Sequence, residues 1–126
     1  MTLRAFLLLW LALAPGFALA AGTAYLGGLE DVPLAPGLTE DAGATVVFDK
    51  PGGRIVEAFA RGPVALQEAM AFYAAALPQL GWIATGDVTA PGTLSFRREQ
   101  ELLAIEFTRR PSGLEVRFSV TPWREQ

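Results

Sequence analysis

The sequence predicts an α+β fold in which one helix packs on one face of an antiparallel β-sheet of about five to six strands, in the order β-β-α-β-β-β. Two patterns carry this prediction. Apolar residues recur at steps of three and four between Leu66 and Leu80, which is the period of a helix with one buried face. Apolar and polar residues alternate in three stretches between Thr93 and Val120, which is typical of antiparallel strands with one buried face.

The first 20 residues have the layout of a secretory signal peptide. Arg4 makes the start positive, an apolar run follows over Ala5–Ala14, and small residues at Ala18 and Ala20 predict cleavage after Ala20. The alternative is an uncleaved membrane anchor over Ala5–Ala21, although 17 residues are few for a span and a Pro-Gly pair interrupts them. We expect a periplasmic or secreted protein with no stable membrane span after cleavage.

The composition of the expected mature chain limits the classes of partner that it can bind. Removal of residues 1–20 takes away one basic residue of 10 and no acidic residue, which leaves 9 basic and 13 acidic residues and a net charge of −4. This balance disfavours a nucleic-acid partner, because phosphate backbones are held by an excess of Lys and Arg. There is no Cys, so we expect a hydrophobic core rather than disulfides to hold the domain together.

The missing residue types also bound the chemistry. The chain contains no His, no Cys and no Asn. An imidazole base, a thiolate nucleophile and the usual zinc ligands are therefore unavailable. We expect a protein that is not an enzyme and that binds no metal and no cofactor.

We expect residues 21–43 to form an extended acidic arm ahead of the folded domain. Two prolines and five glycines interrupt this stretch, all its charged residues are acidic, and no helical or strand period is visible in it. A solvated linker is the plainer alternative, and a Ca²⁺ site is disfavoured because no EF-hand loop pattern is present. The residues that could bind a partner through this arm are Leu29, Glu30, Asp31, Val32, Leu34, Leu38, Glu40 and Asp41.

The folded domain is expected over residues 44–126 and begins with a β-hairpin. The run ATVVF at 44–48 favours a strand, DKPGG at 49–53 is dense in turn formers, and RIVEAFAR at 54–61 favours a second strand. The five residues between the two runs predict a loop longer than the tightest hairpin turns.

The helix is expected to begin at Pro63, which suits the first helical position. Tyr73 lies in the middle of its apolar stripe, and we expect this stripe to face the core. Pro78 ends the regular helix near Leu77 or after one distorted turn. Gly81 can then take the left-handed conformation, and Trp82 is expected to pack back over the helix end and to start the next strand.

A strand meander is expected after the helix. A short run at 82–86 is followed by the three alternating stretches, and interleaved Arg and Glu on their other face predict a solvated surface with cross-strand ion pairs. The residues predicted to face the core are Leu94, Phe96, Leu103, Ile105, Phe107, Leu114, Val116, Phe118 and Val120.

The runs MAFYAAALPQLGW and LSFRREQELLAIEF resemble small secreted or lipoprotein-type domains of Gram-negative bacteria. In those domains a helix ends in FY-x3-L-x3-GW and a β-hairpin follows. The resemblance covers residues 44–120. It implies an exported location and this fold, and because that family has no assigned activity it implies no catalytic residue.

Three classes of function remain open. The first is a non-enzymatic binding or adaptor domain that engages a protein or envelope component through the acidic arm or a sheet edge. The second is a small-molecule binder with a cleft between helix and sheet, for which Glu57, Arg61 and Tyr73 are the candidates. The third is a carboxylate-dependent enzyme, which requires two acids in one pocket. A filled core with a bare sheet edge would favour the first class.

Overall fold

The computed structural model describes residues 24–85 and 92–123. The predicted signal peptide with its cleavage position lies outside these residues, as do most of residues 87–92, where the run DVTAPG predicts a turn between two strands. Within them the fold is α+β, with one α-helix and antiparallel strands. The elements are β1 (Tyr25–Leu26), β2 (Leu29–Pro33), β3 (Thr39–Glu40), a short 3₁₀ helix (Ala42–Ala44), β4 (Val46–Lys50), β5 (Gly53–Gly62), α1 (Leu66–Gln79), β6 (Ile83–Ala84), β7 (Thr93–Arg98), β8 (Glu101–Arg110) and β9 (Gly113–Pro122).

The predicted class is confirmed, but the predicted strand number and order are wrong. The described residues form nine strands rather than five or six, with five strands before the helix and four after it. The three additional strands ahead of the helix are β1, β2 and β3, which lie in the segment predicted to be an arm.

Seven strands form one antiparallel sheet in the order β3-β5-β9-β8-β7-β6, with β4 also paired to β5. The strands β3 and β4 occupy successive parts of the same edge of β5, since Thr39 lies opposite Arg61 and Val46 lies opposite Glu57. The strands β1 and β2 form a separate hairpin. A Cβ atom at Gly28 of its turn would lie 3.3 Å from Val56 of β5, so this hairpin packs on the sheet face that carries Val56.

The core lies between that sheet face and the helix. Alternate residues of the long strands point into it, so the face prediction made from the alternation is confirmed. Leu94 is partly buried and packs against the core. The buried residues of β5, β7, β8 and β9 are Val56, Ala58, Ala60, Phe96, Leu103, Ile105, Phe107, Leu114, Val116, Phe118 and Val120.

The helix begins later than the sequence predicts. Pro63 lies in a bend three residues before Leu66, so its predicted place at the first helical position is wrong. The N–H of Val64 donates to the Gly62 carbonyl at 2.9 Å, and this three-residue turn uses the fixed φ of Pro63 to redirect the chain from β5 toward the helix.

The helix ends as the sequence predicts. Pro78 lies inside its last turn, and Gly81 has a φ of 89°, in the left-handed region that favours glycine. The N–H groups of Leu80 and Trp82 both donate to the Leu77 carbonyl, at 3.0 and 3.1 Å. Trp82 is buried, and β6 starts at the next residue, so the corner turns the chain from helix into sheet.

The expectation of an extended arm over residues 21–43 is wrong for its described part. Five side chains of this segment belong to the core, namely Leu26, Leu29, Val32, Ala35 and Leu38. The loop between β2 and β3 also runs against the end of β5, since a Cβ atom at Gly62 would lie 1.9 Å from the Gly37 carbonyl oxygen. Only a glycine allows this close approach of two backbones, so the segment is part of the domain.

Candidate functional site

Two acidic residues predicted to bind a partner through the arm are engaged within the domain. The Glu40 carboxylate accepts hydrogen bonds from the Gly27 N–H at 3.0 and 3.1 Å, and from the Thr45 hydroxyl at 3.2 Å. The Asp41 carboxylate pairs with Arg61 at 3.3 Å on the surface. These contacts connect β3 to the turn between β1 and β2, and they connect the residue before the 3₁₀ helix to β5.

The apolar residues of the predicted arm are core residues rather than anchors for a partner. Leu29 and Val32 are fully buried, Leu38 is 8% exposed, and Leu34 is partly buried against the core. Glu30 is exposed on β2. The predicted binding arm is therefore replaced by a buried hairpin and loop.

Four charged side chains close one end of the core. The Asp31 carboxylate accepts a hydrogen bond from Arg98 and lies 3.8 Å from Arg54 Nη2. Arg54 donates from Nε and Nη2 to the Glu101 carboxylate at 2.8 and 3.1 Å, and this hydrogen bond raises the pKa of Arg54. The Arg98 guanidinium lies 4.4 Å from the centre of the Trp82 ring. The two carboxylates and the two guanidinium groups therefore pair with each other.

No group of three or more His, Cys, Asp or Glu side chains within the described ranges could hold a metal ion. The paired charges instead stabilise the junction of β2, β5, β7 and β8.

The predicted cleft residues do not come together. Tyr73 is fully buried on the helix side of the sheet, whereas Glu57 and Arg61 lie on the opposite face of β5. Glu57 accepts a hydrogen bond from Arg117 at 2.5 Å, which raises the pKa of Arg117, and Arg117 also donates to Glu106 at 3.1 Å. These three residues form a cross-strand charge ladder on the solvated face, as the interleaved Arg and Glu predicted.

A shallow groove of about 440 Å³ runs beside the helix. Small-molecule sites usually combine apolar walls with several convergent polar groups. Here the polar side chains are those of Tyr25 and Gln79 alone, so the groove offers little to orient a ligand. It is lined by Tyr25, Pro33, Phe72, Ala75, Ala76, Gln79 and Leu80.

The most unusual surface of the described chain is the outer edge of β4. All five of its residues are exposed, and Val46, Val47 and Phe48 are exposed by 47%, 51% and 60%. Among the described residues, β4 pairs with β5 alone, so alternate backbone N–H and C=O groups point away from the sheet. Edge strands are commonly protected by charges, prolines or bulges. Three consecutive apolar residues on an open edge are therefore a candidate site for another strand.

The β4–β5 hairpin was predicted, but its exposure was not. The pairing of Lys50 with Gly53 makes the loop two residues, Pro51 and Gly52, which is shorter than the five residues that the sequence predicts. The run Val46–Phe48 has three consecutive apolar residues and no apolar-polar alternation, and this is the signal in the sequence that indicates an apolar surface on both faces of β4. Its edge position follows from the pairing of β5 with β9, which lies far along the chain.

Comparison with models of protein families, with curated proteins and with solved structures gives no match to this chain. In the part of the chain that the structure describes, no helix combines the length and the apolar character needed to cross a membrane.

Proposed function

We propose that this protein is an exported, non-enzymatic binding domain that holds a protein partner by pairing a strand of that partner with β4. The observation that supports this most directly is the open β4 edge, where three adjacent apolar side chains are about half exposed. The core beneath the helix is filled by buried side chains, so the sheet edge is a better candidate site than an internal cleft.

The energetics of strand addition suit this edge. A partner strand would supply backbone hydrogen bonds to the groups of β4 that point outward, and its side chains would cover those of β4. Full burial of a Val or Phe side chain is worth about 1.5–3 kcal/mol, so covering the exposed half of each of Val46, Val47 and Phe48 would contribute about 1 kcal/mol apiece. Pairing through the backbone supplies affinity, and the apolar side chains select the register.

Export of the domain rests on the leader at residues 1–20, and the non-enzymatic character rests on the missing His, Cys and Asn. The resemblance to exported domains of Gram-negative bacteria implies the same location and carries no implication for mechanism.

A capture experiment with two edge variants tests the proposal. Val47→Lys places a charge on the β4 edge, and the matched control Ile83→Lys places one on β6 at the other end of the sheet, where Ile83 is 70% exposed. The tagged protein is incubated with periplasmic extract from the native host, and circular dichroism establishes that both variants are folded. We expect Val47→Lys to lose partner capture and Ile83→Lys to retain it. Equal capture by both variants would contradict the proposal.

A further inference from the structure

We infer that the strand which pairs with β4 is β4 of a second copy of this chain, so that two sheets join into one antiparallel sheet around a two-fold axis. This inference rests on the proposed function, because it names the partner at the same edge. Isologous pairing requires that one surface complement itself, and the edge formed by β4 and the neighbouring end of β3 meets this condition in two independent ways.

The apolar side chains of β4 pair best with themselves. In an antiparallel pairing centred on Val47, Val47 lies opposite Val47 of the second copy, and Val46 lies opposite Phe48. Apolar residues then face apolar residues on both faces of the new sheet.

Other registers are less favourable. A pairing centred on Phe48 places Val46 opposite Lys50 and Val47 opposite Asp49, and a pairing centred on Asp49 sets two carboxylates directly against each other. A pairing centred on Val46 places Phe48 opposite Ala44 of the 3₁₀ helix and leaves Val46 alone opposite a β4 residue, whereas the pairing centred on Val47 sets three β4 residues against β4. The side chains therefore select the register centred on Val47.

The charges at the two ends of the edge are also complementary. Lys50 is the single lysine of the sequence, it is exposed at the end of β4, and it takes part in none of the ion pairs of the described residues. The acidic residues Glu40 and Asp41 lie at the opposite end of the same edge of β5. Antiparallel pairing brings Lys50 of each copy toward the acidic end of the other copy, and two-fold symmetry makes this contact twice.

The size of the interface predicts a weak dimer. A pair of five-residue strands buries less than the standard interface of roughly 1,600 Å². The association should therefore depend on concentration within the micromolar range and above, and it should be sensitive to salt because the charged ends are exposed.

Sedimentation velocity of the exported protein from about 1 µM to about 1 mM tests the inference. We expect the wild type to shift from monomer to dimer, Val47→Lys to stay monomeric and Ile83→Lys to follow the wild type. Phe48→Lys serves as the second edge variant if Val47→Lys does not fold.

A charge exchange tests the register. Lys50→Glu and Asp41→Lys should each weaken self-association by about tenfold or more at low salt, since each symmetric dimer then contains two like-charge contacts. Asp41→Lys also removes the surface ion pair with Arg61, so the mixture of the two variants is the deciding measurement. An equimolar mixture of the two variants should recover the dimer, because both contacts in the mixed pair join opposite charges. Absence of recovery would overturn the proposed register.

The outcomes separate this inference from the proposed function. A wild type that stays monomeric at about 1 mM, or a dimer that persists in both edge variants, overturns the inference. If that monomer still captures another protein in a way that Val47→Lys abolishes, strand addition to β4 stands with a different partner. If neither dimerisation nor capture depends on β4, both proposals fail.

Discussion

Tyr73 is the residue at which the helix, the β1–β2 hairpin and the sheet meet. Its ring packs edge-on against Phe72 and Phe118, with ring centres 5.0 and 5.4 Å apart. Its hydroxyl donates to the Pro33 carbonyl at 2.8 Å and accepts from the Ala35 N–H at 3.1 Å. One side chain thus supports the core through its ring and ties the loop after β2 to the helix through its hydroxyl.

The first prediction separates these two roles. We expect Tyr73→Ala to lower the free energy of unfolding by about 3–5 kcal/mol through the lost ring. We expect Tyr73→Phe to lower it by about 1–3 kcal/mol, because the Pro33 carbonyl and the Ala35 N–H are left buried without this partner. Urea denaturation measures both. The control is Tyr25→Phe at a 45% exposed position, where we expect a change within about 0.5 kcal/mol. A Tyr73→Phe effect no larger than the control would refute the role of the hydroxyl.

The second prediction concerns alkaline pH. Burial raises the pKa of the Tyr73 hydroxyl, and the hydrogen bond from Ala35 opposes this shift only in part. The unfolded chain releases this proton near pH 10, while the folded chain keeps it. The free energy of unfolding should therefore be unaffected by this group below about pH 10 and should fall above it, by up to about 1.4 kcal/mol per pH unit.

Denaturation curves at several pH values between about 9 and 11.5 measure this dependence. The Tyr73→Phe variant lacks the titrating group but keeps Tyr25 and Lys50, so the difference between the two proteins isolates Tyr73. Parallel pH profiles for the two proteins would show that Tyr73 is not the group responsible.

Among the elements, the β1–β2 hairpin and the loop that follows it are the part of the fold that the sequence did not predict. We expect deletion of residues 21–43 to abolish the cooperative melt, because it removes five core side chains and leaves the Tyr73 hydroxyl without its partners. The point variant Leu29→Ala should cost about 2–5 kcal/mol, and its neighbour Glu30→Ala, exposed on β2, should change stability by less than about 0.5 kcal/mol. A deletion variant that still melts cooperatively would restore the interpretation of this segment as an arm.

The elements that could be predicted from sequence are those whose pattern is local. The helix face and the alternation of β8 and β9 repeat over enough residues to be recognised. The corner follows from the backbone preferences of Pro78 and Gly81 themselves. The strands β1 and β3 have two residues each, which is too few for the two-residue alternation of a strand to repeat, and long-range contacts hold them in place. The same limit hid the candidate site, because the edge position of β4 depends on the pairing of β5 with β9.

For the whole molecule, the signal-peptide pattern predicted for residues 1–20 indicates export. We expect the intact mass of protein recovered from the periplasm to correspond to a chain that starts at Ala21. Replacement of Ala20 by a bulky residue should slow cleavage, because the processing site requires small side chains. Recovery of the full-length chain in membranes alone would favour the anchor instead.

The two edges of the sheet are unequal, and this asymmetry leads to the last prediction. The central strands β5, β9 and β8 are paired on both sides, so their amides should exchange with solvent only when the sheet opens. Half of the amides of β4 point away from β5 and should exchange rapidly in the monomer. If two copies join through β4, these amides gain partners, whereas those of β6 at the other edge do not.

Hydrogen exchange followed by mass spectrometry, at protein concentrations below and above self-association, measures this difference. The protection of the peptide that covers β4 should rise with concentration, and the protection of the peptide that covers β6 should stay constant. The Val47→Lys variant should show no such rise, and equal protection of β4 at both concentrations in the wild type would place the interface elsewhere.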